Sequence, residues 1–148
     1  NFTTKKTMQI AQQLYEGVEI KGKGTVGLVS YIRTDSVRIS KEAQDAARQY
    51  IAGAFGEAYT ANNVYANKKK EVQDAHEAIR PSYIDLAPDK IKESLSRDQY
   101  ALYRLVWTRF LASQMKPAVY NAMSAVLENQ GYLFKATDEL DPTSGPED

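Results

Sequence analysis

Ser96-Arg97-Asp98-Gln99-Tyr100-Ala101-Leu102-Tyr103-Arg104-Leu105-Val106-Trp107-Thr108-Arg109-Phe110-Leu111-Ala112-Ser113-Gln114-Met115 reads as one long helix. Ser96 and Gln99 stand at capping-box spacing, where serine takes the N–H three residues on and glutamine reaches back to the serine N–H. Tyr100, Leu102, Tyr103, Leu105, Val106, Trp107, Phe110 and Leu111 spread apolar side chains over most of the circumference. A helix apolar nearly all round is normally enclosed by its own protein, so we expect this one to be the central buried element. It should end near Met115, with Pro117 beyond.

Other elements gather around it. Upstream, Pro88 to Leu95 reads as a short helix, and Asp74 to Ile79 as a helical piece that stops before Pro81, because the residue before proline avoids the helical region. Residues 57–73 are turn-rich and carry Lys68-Lys69-Lys70. Ser40 can cap a helix from Lys41 to Phe55, with Ala43, Ala46, Ala47, Tyr50, Ile51 and Ala54 on one face and Gly56 as its stop. Val26 to Ile32 is β-branched and aromatic enough for a short strand. Residues 18–24, rich in Gly and Lys, lack P-loop spacing and suit a turn or a β-hairpin wing.

The first helix should run from Thr4 to Glu16, with Met8, Ala11, Leu14 and Tyr15 at helical spacing, Thr4 as cap and Gly17 as stop. Lys5 and Lys6 fall in its first turn, where the helix dipole disfavours cations. They are either a solvated end or a phosphate contact assisted by the helix amides. Downstream, Met123 to Leu127 and Tyr132 to Ala136 alternate like hairpin strands around Asn129-Gln130-Gly131. Residues 138–148, acidic with Pro, Gly and Ser, should form a disordered tail. The fold class is mainly α with a few short strands, and helices plus a Gly-rich hairpin are compatible with a winged helix-turn-helix.

The 148 residues suffice for one ordinary domain, and 43% hydrophobic content supplies a core without disulfides or a structural metal. Cysteine is absent, which removes disulfide scaffolds, cysteine-ligated zinc, iron–sulfur clusters and a cysteine nucleophile. That composition suits a reducing cytoplasm. Nineteen basic residues balance nineteen acidic ones, so total charge does not advertise a nucleic-acid partner. Residues 1–80 hold 12 basic and 9 acidic side chains, a weak bias, since a phosphate-binding face depends on local charge. No apolar run approaches the roughly 20 residues that span a bilayer, and no secretory signal pattern opens the chain. The sequence begins at Asn1 without an initiator methionine, and we expect a soluble piece of something larger.

The chemistry centres on Tyr31. In an extended chain, positions i and i+2 face the same way, so Tyr31 and Arg33 can address one ligand. A guanidinium stays charged and grips two phosphate oxygens as a fork. A phenol, with its ordinary pKa of about 10, is a poor nucleophile near neutrality. A neighbouring cation eases formation of the phenolate and stabilises charge growing on a phosphoryl group. Tyr-x-Arg spacing is common by itself. His76 is the sole histidine; such a residue is usually a surface or hydrogen-bonded group, and no ligand partners stand at metal-site spacing. Arg80 is a candidate phosphate clamp or a solvated arginine.

Tyr31-Ile32-Arg33-Thr34-Asp35-Ser36 resembles the active-site signature of bacterial type IA DNA topoisomerases, usually Tyr-Met-Arg-Thr-Asp-Ser. Three further stretches resemble the same family in order: Lys5 to Glu16, His76-Glu77-Ala78-Ile79-Arg80-Pro81, and Leu102 to Met115. The likeness covers roughly Lys5 to Ala136. Ile32 replaces the usual methionine with nearly conserved volume, and should face away from the phenol.

The resemblance implies a winged-helix, CAP-like domain over residues 1–121, with 122–137 supplying strands to the adjacent arch domain. It implies a cytoplasmic, nucleoid-associated enzyme that relaxes negatively supercoiled DNA without ATP. Tyr31 would attack one DNA strand and become joined to its 5′ phosphate, with Arg33 stabilising the scissile phosphate. His76 would be a DNA-side or hydrogen-bonding partner near the site. Arg80, Thr34, Asp35, Ser36, Lys5 and Lys6 would make further contacts. The expected partners are single-stranded DNA and the family's magnesium-binding domain. No Asp-x-Asp pair of that domain occurs here, so Mg²⁺ would be held outside this chain, and the chain alone should be catalytically crippled. The competing expectation is a single-stranded DNA-binding module without chemistry.

Overall fold

A computed structural model describes residues 2–65 and 76–140. Two compact units divide between Lys116 and Pro117. The first unit is mainly helical with short antiparallel strands.

Helix α1 spans Thr4–Glu16. Its cap is Thr3, one residue earlier than expected: the Thr3 hydroxyl accepts from the Lys6 N–H at 3.2 Å. Ile10 and Leu14 form its buried face. Strands β1 (Val18–Ile20) and β2 (Gly24–Val26) pair antiparallel, Val18 opposite Val26. Lys21-Gly22-Lys23 turns between them, with Gly22 at φ 80°. This is the expected Gly/Lys hairpin.

The strand expected over Val26 to Ile32 is shorter. After Val26 the backbone hydrogen bonds leave the hairpin. Leu28 N–H donates to the Leu14 carbonyl at 2.8 Å, and Ser82 N–H donates to the Leu28 carbonyl at 3.0 Å. Only Val29, opposite Pro81, makes a bridge. Gly27 passes so near the end of α1 that a Cβ there would lie 2.9 Å from the Tyr15 carbonyl oxygen.

Helix α2 spans Lys41–Ala54, and the Ser40 hydroxyl accepts from the Ala43 N–H at 3.3 Å. It buries Ala43, Ala47 and Ile51, and stops before Gly56 at φ 104°. The helical piece expected over Asp74 to Ile79 is not helical where described, from His76 on. Tertiary bonds displace it: Ala78 N–H donates to the Arg38 carbonyl at 2.8 Å, and Arg80 N–H to the Ser30 hydroxyl at 2.9 Å. Lys68-Lys69-Lys70 lie outside the described residues. The helix expected from Pro88 to Leu95 is two 3-10 turns, Pro88–Lys90 and Lys92–Ser94.

Helix α3 spans Arg97–Ser113 and carries the full capping box. Its buried stripe is Tyr103, Phe110 and Leu111. The Tyr103 hydroxyl donates to the Leu86 carbonyl at 2.7 Å, and Trp107 Nε1 to the Ile84 carbonyl at 3.0 Å. Contrary to expectation, α3 is not enclosed on all sides. Leu105 is 56% exposed, and Ala101, Arg104, Thr108 and Arg109 share that wet face. Trp107 is only partly buried, its indole N–H reaching a backbone acceptor, and Leu105 faces solvent, so apolar count overstated enclosure.

One core cluster joins α1, the hairpin and α3 through Ile10, Leu14, Ile20, Leu28, Val29, Leu86, Ile91 and Tyr103. A second joins Ile39, Ala43, Ala47 and Phe110. The second unit contains a hairpin of β3 (Asn121–Asn129) and β4 (Tyr132–Leu140). Its turn, Gln130 at φ 52° and Gly131 at φ 83°, has the two positive angles of a type I′ connection. β4 includes positions 138–140, which the sequence pattern assigns to the tail; residues 141–148 lie outside those described.

Candidate active site

Tyr31 sits on the extended segment after β2, and the preceding residue fixes that segment. Ser30 N–H donates to the Arg80 carbonyl at 2.9 Å. The Ser30 hydroxyl donates to the Ala78 carbonyl at 3.0 Å while accepting from Arg80 N–H. One serine therefore clasps residues 78–80 beside Tyr31. Alternation then sorts the side chains: Ile32 is half-buried against the first core cluster, whereas Tyr31 and Arg33 are exposed. Ile32 is expected from sequence only to face away from the phenol; the fold packs it against the core.

Tyr31 is 47% exposed, yet two rings flank its own. Tyr15, from the last turn of α1, meets it edge-on with centroids 5.4 Å apart and planes at 60°. His76 lies on it with centroids 5.3 Å apart and planes at 35°. The fold thus brings together Tyr31 and His76, which are far apart in sequence, and adds Tyr15. Sequence reading placed Tyr15 only on the apolar face of a helix; nothing in its spacing distinguishes a core tyrosine from one at a site.

The remaining candidates divide. Arg33 Nε pairs with Asp35 at 3.2 Å, with both side chains well exposed. Thr34 is exposed beside them. Ser36 is buried, and its hydroxyl accepts from the Arg38 N–H at 3.1 Å, so it shapes the turn. Arg80 is engaged internally: Nε donates to Glu77 at 2.7 Å and Nη1 to the Pro81 carbonyl at 3.1 Å. Lys6 pairs with Asp98 at 2.6 Å and lies 4.7 Å over the Phe2 ring, linking α1 to α3. Lys5 is exposed.

Glu77 is a node that sequence reading passed over. Burial works to raise its carboxyl, but Arg80, through a hydrogen bond and its charge, outweighs this together with bonds from Ser40, and the net shift is downward. Its carboxylate thereby joins the cap of α2 to the segment carrying His76. Among the described residues, no group of three or more His, Asp or Glu could hold a metal ion. Among them also, no helix is long and apolar enough to cross a membrane.

Chemically, the surface presents an exposed tyrosine flanked by two rings, with an exposed arginine two positions along the chain. A family model described as DNA topoisomerase matches residues 1–141. The structure of full-length topoisomerase I from Thermotoga maritima is similar, with a TM-score of 0.80 and 43% sequence identity. That similarity covers 95% of this chain and 22% of the other.

Proposed function

Because the chain belongs to the bacterial type IA DNA topoisomerase family, we propose that Tyr31 is the nucleophile of a DNA strand-breaking reaction. The phenolate oxygen attacks a backbone phosphorus. A bond from tyrosine oxygen to phosphorus forms, the bond from phosphorus to the 3′ oxygen breaks, and that oxygen takes up a proton. The DNA is left with a 5′-phosphotyrosyl end and a free 3′ hydroxyl. Attack by that hydroxyl reverses the step. The exchange of one phosphoester for another conserves the bond energy, so strand passage and relaxation of negative supercoils require no ATP.

The observation that carries the reading is the accessible Tyr31 phenol, flanked by Tyr15 and His76 on the extended segment that also presents Arg33. Arg33 stabilises charge on the scissile phosphate. Its ion pair with Asp35 is made through Nε, so a phosphate gripped by Nη1 and Nη2 need not displace it. His76, against the Tyr31 ring, serves as a DNA-side or hydrogen-bonding partner. The fold is read as the family's winged-helix, CAP-like domain, with β1–β2 as the wing and β3–β4 belonging to the adjacent arch. Among the described residues, no group of three or more His, Asp or Glu stands ready to hold the ion. Mg²⁺ and its acidic ligands belong to another part of the enzyme, and the isolated 148 residues are not competent.

The test uses an intact type IA enzyme carrying this sequence, single-stranded DNA and Mg²⁺. A covalent adduct resistant to denaturation forms, and Tyr31→Phe abolishes it. Adduct formation by the phenylalanine variant would transfer the role to another residue. A second reading, a single-stranded DNA-binding module without chemistry, draws on the same exposed rings, since aromatic faces accept stacked bases. Relaxation and salt-dependent binding that both survive Tyr31→Phe would favour it.

A further inference from the structure

We infer that Tyr15 is a positioning residue for the Tyr31 phenol, an inference that rests on the nucleophile reading above. Tyr31 is nearly half exposed, so solvent would leave its ring free to leave any one rotamer. Two walls restrict it. On one side Tyr15 presents its ring at 60° and 5.4 Å, within the edge-to-face range that aromatic pairs prefer. On the other stands His76 at 5.3 Å.

Both walls are tied to backbone within a few residues of the phenol. The Leu28 N–H bond to the Leu14 carbonyl, 2.8 Å, fastens the end of α1 to the tyrosine segment. Leu14 itself is fully buried, and the lack of a Cβ at Gly27 lets the two chains approach. The Ser30 clasp on Ala78 and Arg80 fixes the opposite side. The direction of the Tyr31 ring is thus referred to two anchored elements rather than to its own backbone alone.

In-line phosphoryl transfer depends on where the attacking oxygen stands, and small misplacements are costly. Tyr15 acts on the Tyr31 ring, not on the phosphate. Its ring makes the described contact, so its hydroxyl is dispensable.

In the intact enzyme, Tyr15→Phe keeps single-turnover cleavage within about twofold of wild type, while Tyr15→Ala slows it by about ten- to a hundredfold. Tyr15→Leu, which restores bulk without a ring, stays slow. Affinity for single-stranded DNA and the thermal midpoint of Tyr15→Leu remain those of wild type. Normal cleavage by Tyr15→Ala overturns the inference. So does a loss of cleavage in Tyr15→Leu that is matched by equal losses of DNA affinity and folding, the signature of a merely structural residue. Tyr31→Phe run in parallel separates the levels. An adduct there removes the nucleophile assignment and this inference with it, whereas a dead Tyr31→Phe beside a normal Tyr15→Ala removes only the positioning role.

Discussion

Arg33 is exposed two positions beyond Tyr31. Its neighbour Ile32 is turned into the core, so residue 33 is turned outward with Tyr31. The exposed pair with Asp35 adds little stability, because solvent screens it. Arg33→Ala is therefore expected to leave folding intact and to lower single-turnover cleavage in the intact enzyme by about 10²-fold. Arg33→Lys should recover part of that loss, since an ammonium restores charge but not the two-pronged grip. Glu77 makes the contrasting prediction. Its depressed carboxyl pKa means that the folded state favours the ionised form. The stabilisation is present above the ordinary value of 4.5 and is lost as pH falls through the lower folded value. In urea titrations, Glu77→Gln should be less stable than wild type by about 1 kcal/mol at pH 7. The gap should close as pH falls below that ordinary value; a gap unchanged in acid would deny the linkage.

Among the elements, the caps were the most legible. Ser96 with Gln99 and Ser40 before α2 mark helix starts that local hydrogen bonding is sufficient to define. Ser96→Ala should cost about 1 kcal/mol, read as a lower urea midpoint with an unchanged slope. The Gly/Lys hairpin and the β3–β4 turn were legible for the same local reason. The segment from Val26 to Ile32 was not, because its partners lie at Leu14 and at 80–82, remote in sequence. The piece before Pro81 failed likewise, since bonds to Arg38 and Ser30 outweigh a weak helical preference. At the candidate site, Tyr31, Arg33 and His76 came from motif resemblance. Tyr15 and the Ser30 clasp became visible only when the fold closed around them. Arg80 and Ser36 were legible as polar residues, but their internal partners were not.

At the scale of the whole molecule, the two core clusters are built from residues of the first unit. Its last residues are fastened within it: Asn63 Nδ2 donates to the Ser113 and Met115 carbonyls, and Lys116 N–H to the Tyr59 carbonyl at 3.1 Å. A two-stranded hairpin, in contrast, is marginal by itself in water. A chain ending at Lys116 should therefore keep its helical circular dichroism and its urea midpoint. A large drop in that midpoint would show that the β3–β4 unit contributes to the helical core. The chain as a whole carries equal numbers of basic and acidic side chains, so the proposed phosphate recognition would draw on local charge.

The hydrogen atom that serves as the side chain of Gly27 sets the clearance between the end of α1 and the strand leading to Tyr31. Alanine there would insert a methyl against the Tyr15 carbonyl oxygen, and neither piece of backbone is a flexible tip that can swing aside. If Tyr31 is the nucleophile proposed above, the added methyl would act as a shim under the segment that carries it, shifting the phenol while every charged group remained in the sequence.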